Sequence, residues 1–403
     1  MIYLFIIIFL AICVWIYDFH DNTNGSNYCY WGICILLICI AGFRYRIGVD
    51  TIEYMKIFEY RTPDLATFLP AFLQDDLPFE FASSLLLSIG KTFGNSWYIT
   101  QFMFALITNL SIFIFASKHT PHRFTFILFY FILLFFDLSF ETLRQACAVS
   151  FALWGFDFLK QKAYVQYYIL AFIAILFHSV AIILLLIPFL QIRFNLVFAI
   201  GISIICLGLS FFFNTFFTNL NVVFEYLNLD YLQNKVTTYT ESDALGTESL
   251  NIASRNWKFY AQQLIIYLIP TYLICYLSGS LANTTGTKHM SPFIYIWILS
   301  ISLQSAIPIM YRITEFVLPI VLLILAEVFV ITLKDKSPLK KVILLYSMLI
   351  ILCYGSYTKF FRVVNNGPHT LPRIVSYFPY ADCFTKETDA LREHFYREAG
   401  RGR

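Results

Sequence analysis

Apolar positions along this chain fall into long unbroken runs, at 1–17, 28–43, 97–116, 123–140, 144–159, 164–190, 195–213, 259–278, 291–310, 313–333 and 342–357. About 20 apolar residues cross a bilayer as a helix, so the pattern predicts an all-α polytopic membrane protein. The sixth run is too long for one crossing. It holds His178-Ser179 in its middle and Pro188 near its end, which predicts two short helices meeting near His178. The expectation is therefore about 11 to 12 transmembrane helices in one domain, 1–357, with outer loops 44–96 and 214–258. A polar C-terminal tail, 358–403, follows.

The pattern changes at Gly42–Tyr60, GFRYRIGVDTIEYMKIFEY, where Arg44, Arg46, Asp50 and Glu53 appear directly after a spanning run. From Asp50 the spacing turns helical: Asp50, Glu53, Tyr54 and Ile57 recur at three and four, with Ile47, Met55 and Phe58 available for an apolar side. This reads as a short surface or re-entrant helix, preceded by an arginine-bearing turn in which Gly48 relaxes the backbone. The same residues would also serve as the positive flank of a cytoplasmic loop.

Composition supports the class. The 403 residues are 59% hydrophobic and 13% charged, against about 25% charged in soluble domains; the mean hydropathy is +0.69. A net charge of +3 without a basic block gives no reason to expect nucleic acid. The nine cysteines are scattered, with no CxxC pair, so no metal site is expected. The first run lacks a basic leader and a small-residue cleavage site and reads as a retained helix.

Basic residues fix an expected orientation. Lys118 and Arg123, Lys160 and Lys162, and Lys334, Lys336, Lys340 and Lys341 mark cytoplasmic loops, provided that the sixth run dips out to His178 and returns to Arg193. Residues 44–96, 137–144, His178, 214–258, Tyr311-Arg312 and the tail then lie outside. Loop 18–27 becomes cytoplasmic although it carries Asp18 and Asp21 and no lysine or arginine.

The outer face gathers ionisable residues at helix ends. In SFETLRQACAVSFALWGF, Glu141, Arg144, Gln145, Ala148 and Ala152 would share one helical stripe. An arginine there needs a partner or a wet cavity, or snorkels to the interface. His178 is either a hydrogen-bonded structural residue or a proton acceptor. Arg312 and Glu315 stand one turn apart, where an ion pair would hold a loop. Guanidinium forks suit phosphate oxygens, and a carboxylate or imidazole suits an attacking hydroxyl. A lipid-linked pyrophosphate sugar donor meets both chemistries.

RYRIGVDTIEYMKIF resembles the RYxxGxDxxxYxxxF signature of the EpsG family, which is grouped with Wzy-type polymerases of bacterial surface polysaccharides. LRQACAVSFALWGFDFLKQKAYVQYYILAFIAILFHSVAIILLLIPFL is similar to that family's second block, an RQ helix, a basic turn and a span ending in FH. Tyr311-Arg312 ahead of Phe316 and Pro319, and Phe378-Pro379-Tyr380, resemble its weaker later features. Thr51 and Cys147 depart from the common tyrosine and glycine. The resemblance implies a GT-C-like architecture and a metal-independent glycosyltransferase without cofactor in the bacterial cytoplasmic membrane. It would move a glycan from one undecaprenyl pyrophosphate carrier to the next lipid-linked repeat unit on the periplasmic side. A chain-length regulator and a flippase of the same pathway are implied partners.

On that reading Arg44, Arg46, Arg144 and Arg312 hold pyrophosphate, with Tyr45 and Gln145 beside them. Asp50 and His178, then Glu53 and Glu141, are the candidate bases. Tyr45, Tyr54 and Trp257 could stack on sugars, and loop 214–258 is the expected specificity element. Other classes fit less well. A flippase would show two related halves, and none are found; an O-acyltransferase would rest on His178 alone. A single-sugar polyprenyl-phosphate glycosyltransferase, using Asp50 and Glu53 as an acidic pair, is the nearest rival.

Overall fold

The computed structural model describes residues 2–191, 194–209, 261–277, 290–304, 310–334, 337–361, 363–364 and 371–398. Loop 214–258, with Trp257, and the basic residues Arg193 and Lys336 lie outside the described residues.

The chain is helical, as its runs predict. Four helices are long and apolar enough to cross a membrane, Ile2–Phe19, Trp97–His119, Met310–Lys334 and Pro338–Phe360. Seven shorter apolar helices accompany them among the described residues: Ser26–Gly42, Arg123–Leu133, Tyr164–Phe177, Ser179–Leu190, Leu196–Leu209, Ala261–Leu277 and Ser291–Leu303. The only strands among the described residues are β1 (Val363–Val364) and β2 (Leu371–Pro372), paired antiparallel.

Two compact units form. The first comprises Met1–Leu190, Leu322–Val330 and Arg373–Arg403; the second comprises Gln191–Val321 and Ile331–Pro372. In the first, α1 (Ile2–Cys13, continued by the π turn Val14–Phe19) packs on α7 (Arg123–Leu133). Helix α2 (Ser26–Gly42) packs on α6 (Trp97–His119), α6 on α8 (Leu143–Lys160), and α8 on α9 (Tyr164–Phe177). Between α2 and α6 the chain forms α3 (Val49–Tyr60), α4 (Leu65–Leu73) and α5 (Phe81–Gly94). Large apolar side chains remain exposed at helical spacing on α1 (Leu4, Phe5, Ile8, Ile12) and α9 (Val165, Ile169, Phe172), as on faces meant for lipid.

The sixth run does break at His178. α9 ends there with His178 extended, and a 3-10 helix, Ser179–Leu190, folds back on it, Tyr167 donating to the Leu184 carbonyl at 2.8 Å. The fourth run is shorter than its hydropathy suggests. α7 stops at Leu133, and Asp137–Glu141 form a π turn before α8 begins. Glu141 therefore lies outside α8 and does not share a helical stripe with Arg144.

The first unit has two polar ends. At one, Asp18 accepts from the Thr125 amide (2.6 Å) and hydroxyl (2.8 Å), Arg123 donates to Ser26 and Asn27, and His119 meets Asp157 at 3.2 Å. Loop 18–27 thus shares an end of the unit with Lys118, Arg123 and Lys160. At the other end lie the turn 43–48, Glu80, the π turn and His178. In the second unit, Ala261–Leu277 packs on Pro338–Phe360, Ser300 meets Thr314 at 2.8 Å, and Tyr295 accepts from the Asn195 amide at 2.6 Å.

Candidate functional site

The arginine turn is built around the end of α2. A helix C-terminus leaves carbonyls unpaired and carries partial negative charge, and Arg44 folds back to satisfy both. Its guanidinium donates to the carbonyls of Ala41, Ile47 (3.1 Å) and Phe140 (3.3 Å) and to the Thr51 hydroxyl (3.2 Å), with the Phe140 ring 4.9 Å from its carbon. The residue is 0% exposed, and burial, only partly offset by Glu141, lowers its pKa to about 10. It stays charged at neutral pH, as an internal strut. Gln101 of α6 locks the same turn, donating to the Gly42 and Arg44 carbonyls.

Two left-handed residues, Arg46 (φ 50°) and Gly48 (φ 97°), then redirect the chain into α3. A Cβ on Gly48 would stand 2.7 Å from the Phe140 carbonyl oxygen, so only glycine fits. α3 turns Thr51, Ile52, Tyr54, Ile57 and Phe58 inward and leaves Glu53 exposed. The spacing Asp50, Glu53, Tyr54, Ile57 is helical as read, with Tyr54 and Ile57 on the buried face.

Glu141 caps that helix from across the bundle. Its carboxylate accepts the Val49 amide at 3.1 Å and the Asp50 amide at 3.0 Å, using the positive end of α3. Tyr377 donates to the same carboxylate at 2.8 Å, and Arg373 stands 3.7 Å away. Glu141 is 3% exposed. Burial raises its pKa, Arg373 opposes the rise and the Asp50 carboxylate adds to it.

Tyr377 and Arg373 come from the C-terminal segment, which clasps the turn. Arg46 forms a two-pronged pair with Glu393 (2.8 and 2.7 Å), and this hydrogen bonding, against a burial penalty, raises the Arg46 pKa. The amides of Tyr45 and Gly48 donate to the carbonyls of Ala381 (2.8 Å) and Ser376 (3.2 Å), and Cys383 donates to Phe43 (2.7 Å). Tyr396 donates to the Arg46 carbonyl at 2.8 Å and Tyr380 to Ile40 at 3.2 Å.

Beside the cap, Arg144 at the start of α8 pairs with Glu80, donates to the Tyr54 hydroxyl at 3.3 Å and lies 4.0 Å over the Phe79 ring. Glu80 in turn accepts the Ser179 amide at 3.3 Å, at the break next to His178. Burial would raise the Glu80 pKa, but Arg144 and His178 outweigh it and hold it below the usual carboxylate range. His178 is buried; its Nδ1 accepts the Val180 amide at 3.2 Å.

Asp50, Glu141, Arg144, Tyr54 and His178 are thus tied into one end of the first unit. The three candidate arginines in that unit do not share a ligand: Arg44 serves carbonyls and a hydroxyl, Arg46 serves Glu393, Arg144 serves Glu80. Gln145 is buried in the bundle, and Tyr45 and Asp50 are half-buried. Arg312 belongs to the second unit, with its Nε donating to the Tyr311 hydroxyl at 3.2 Å. Sequence reading missed Glu80, Arg373, Tyr377 and Glu393. Phe378-Pro379-Tyr380 directly follows Tyr377 in the sequence, but nothing in it names a partner. Among the described residues no cluster of three or more His, Cys, Asp and Glu has metal-holding geometry.

A family model described as the EpsG family matches residues 27–380. No curated protein and no solved structure matches the chain.

Proposed function

The chain belongs to the EpsG family, grouped with Wzy-type polysaccharide polymerases, and from that premise we propose that it polymerises lipid-linked repeat units of a bacterial surface polysaccharide. The donor is a glycan on undecaprenyl pyrophosphate. The terminal sugar hydroxyl of a second carrier-linked unit attacks the anomeric carbon of the donor. The new glycosidic bond forms as the bond to pyrophosphate breaks; the hydroxyl proton passes to a protein base, and undecaprenyl pyrophosphate leaves with its electron pair. The chain would do this as an 11- to 12-span, GT-C-like protein of the cytoplasmic membrane, its site facing the periplasm. A flippase and a chain-length regulator would be its pathway partners.

The observation that carries this reading is the convergence at one bundle end of Arg144, Glu80, Asp50 and His178, beside an arginine turn matching the family signature. Arg144 is half-buried and charge-paired, so a pyrophosphate can replace Glu80 as its acceptor. The half-buried Phe79 ring lies against it, an aromatic surface of the kind on which sugars stack. Asp50, in the first turn of α3, and His178 are the candidate bases. Arg44 and Arg46 leave the binding set and become framework. Arg312 and the specificity role of loop 214–258 stay in the proposal on sequence grounds.

A strain lacking the gene is expected to accumulate carrier-linked single repeats at the outer face. Loss of surface-exposed repeats altogether would point to a flippase instead, and addition of one sugar without repeats to a simple transferase. The reading routes no step through a metal, so polymerisation by membranes is expected to persist in excess chelator; its loss would contradict that part.

Orientation is tested separately. A cysteine replacing exposed Glu53 on α3 is expected to react with a membrane-impermeant maleimide added to intact cells, and one replacing Lys118, 60% exposed at the opposite end, is not. The reverse pattern would turn the site to the cytosol.

A further inference from the structure

The residues that hold Glu141 come from a part of the chain that hydropathy sets aside as a tail. The Glu141 carboxylate is the acceptor for the first two amides of α3, the helix that carries Asp50. Two backbone amides alone leave a buried carboxylate short of partners. The remaining stabilisation is supplied by the Tyr377 hydroxyl at 2.8 Å and the Arg373 guanidinium at 3.7 Å. Tyr377 is itself fixed, 1% exposed, with its carbonyl accepting from Tyr3 at 3.2 Å and its ring 5.2 Å from that of Phe136.

We propose that Tyr377 and Arg373 are positioning residues for the transfer reaction: they hold the Glu141 carboxylate on the N-terminus of α3 and so set the place of Asp50. The C-terminal segment is then a working part of the site. This rests on the polymerase reading with Asp50 near the acceptor hydroxyl, and the test separates the two.

The groups that act on Glu141 are the Asp50 carboxylate on α3, Arg44 in the arginine turn, and Arg373, Tyr377 and Tyr396 in the C-terminal segment, with Asp137 of its own turn facing Arg373 at 4.0 Å. Arg373 and the Tyr377 hydroxyl both favour the charged carboxylate. Removing either therefore raises the pH at which Glu141 becomes protonated and its grip on the amides weakens. A residue that only fills space would not move that pH.

The experiment uses the full chain in proteoliposomes, fed with undecaprenyl-pyrophosphate-linked single repeats from a strain lacking the gene. Tyr377→Phe, Arg373→Gln and the conservative Arg373→Lys are compared with the parent. Tyr377→Phe removes one oxygen and keeps the ring packing, so it is the variant least prone to misfold. Amide exchange over residues 47–54 is expected to rise about tenfold in Tyr377→Phe and Arg373→Gln, in line with the loss of a charge-assisted hydrogen bond in the first and of an ion pair in the second. The turnover number is expected to fall about tenfold with KM little changed, because a slight misplacement of a reacting group costs rate. The acid limb of the rate profile is expected to move to higher pH, and Arg373→Lys is expected to restore most of each loss.

Unchanged exchange, turnover and pH profile in Tyr377→Phe and Arg373→Gln, with a parent that polymerises, would overturn the positioning role and leave the polymerase reading intact. A fall in turnover with a fixed acid limb and no rescue by lysine would also overturn it, in favour of simple packing. A parent that makes no polymer while exchange rises in the variants would sink the polymerase reading and keep the hold on α3.

Discussion

Arg144→Ala is expected to abolish polymer while the protein still inserts and purifies intact. Arg144 touches Glu80, Tyr54 and the Phe79 ring, at the meeting point of α3, α5, α8 and the His178 break. Alanine removes the one guanidinium of the arginine turn and RQ helix that lies at this junction without being spent on backbone carbonyls or on Glu393. Loss of a preorganised cation facing a developing pyrophosphate costs roughly 10²- to 10³-fold in turnover. Arg144→Lys keeps the charge but loses the planar fork, and it is expected to recover only part of the activity. Both carboxylate and guanidinium are part-exposed, so Glu80 left alone can hydrate and the fold survives. The checks are polymer length on gels from cells carrying each variant and thermal stability of the purified protein. Full-length polymer in Arg144→Ala would remove the phosphate role.

Gly48→Ala is expected to damage the fold and the activity together. Its φ of 97° with ψ 136° is a conformation that side-chain-bearing residues rarely adopt, and the added methyl would sit 2.7 Å from the Phe140 carbonyl. Backbone strain of this kind costs about 1–3 kcal/mol. Here the neighbour cannot yield freely, because the Phe140 carbonyl also accepts from Arg44 and Thr51. Shifting it disturbs three elements at once, so the upper end, about 3 kcal/mol, is expected. A melting temperature matching the parent's would show that the turn is not held as described. Polymer loss without destabilisation would instead make Gly48 a contact for substrate.

Local features of this chain were readable from local pattern. The start of α3, the glycine that permits it and the break at His178 all follow from neighbours within a few residues: a polar pair inside an apolar run, a glycine between an arginine turn and an acidic helix start. What escaped depended on distance along the chain. Tyr377 meets Glu141 across 236 residues and Arg46 meets Glu393 across 347, and no periodicity records such pairs. Glu141 was placed on a helical stripe because the sequence gives no sign of the π turn that ends at it. Arg44 was assigned to a ligand because charge near a membrane surface suggests an outward use; the helix end that consumes it lies three residues back in the same chain. Charge in the sequence does not distinguish Arg44, consumed by carbonyls, from Arg144, paired with Glu80 at a break in regular structure.

The clasp made by Glu393, Tyr396 and Tyr377 has a bearing on biosynthesis. The arginine turn emerges from the ribosome early, but the groups that secure it are translated hundreds of residues later, and pairings so remote in sequence form last. Until then Arg46 and Glu141 lack these partners. A chain cut short before residue 373 is therefore expected to insert its helices without the hold on α3, leaving residues 47–54 open to amide exchange.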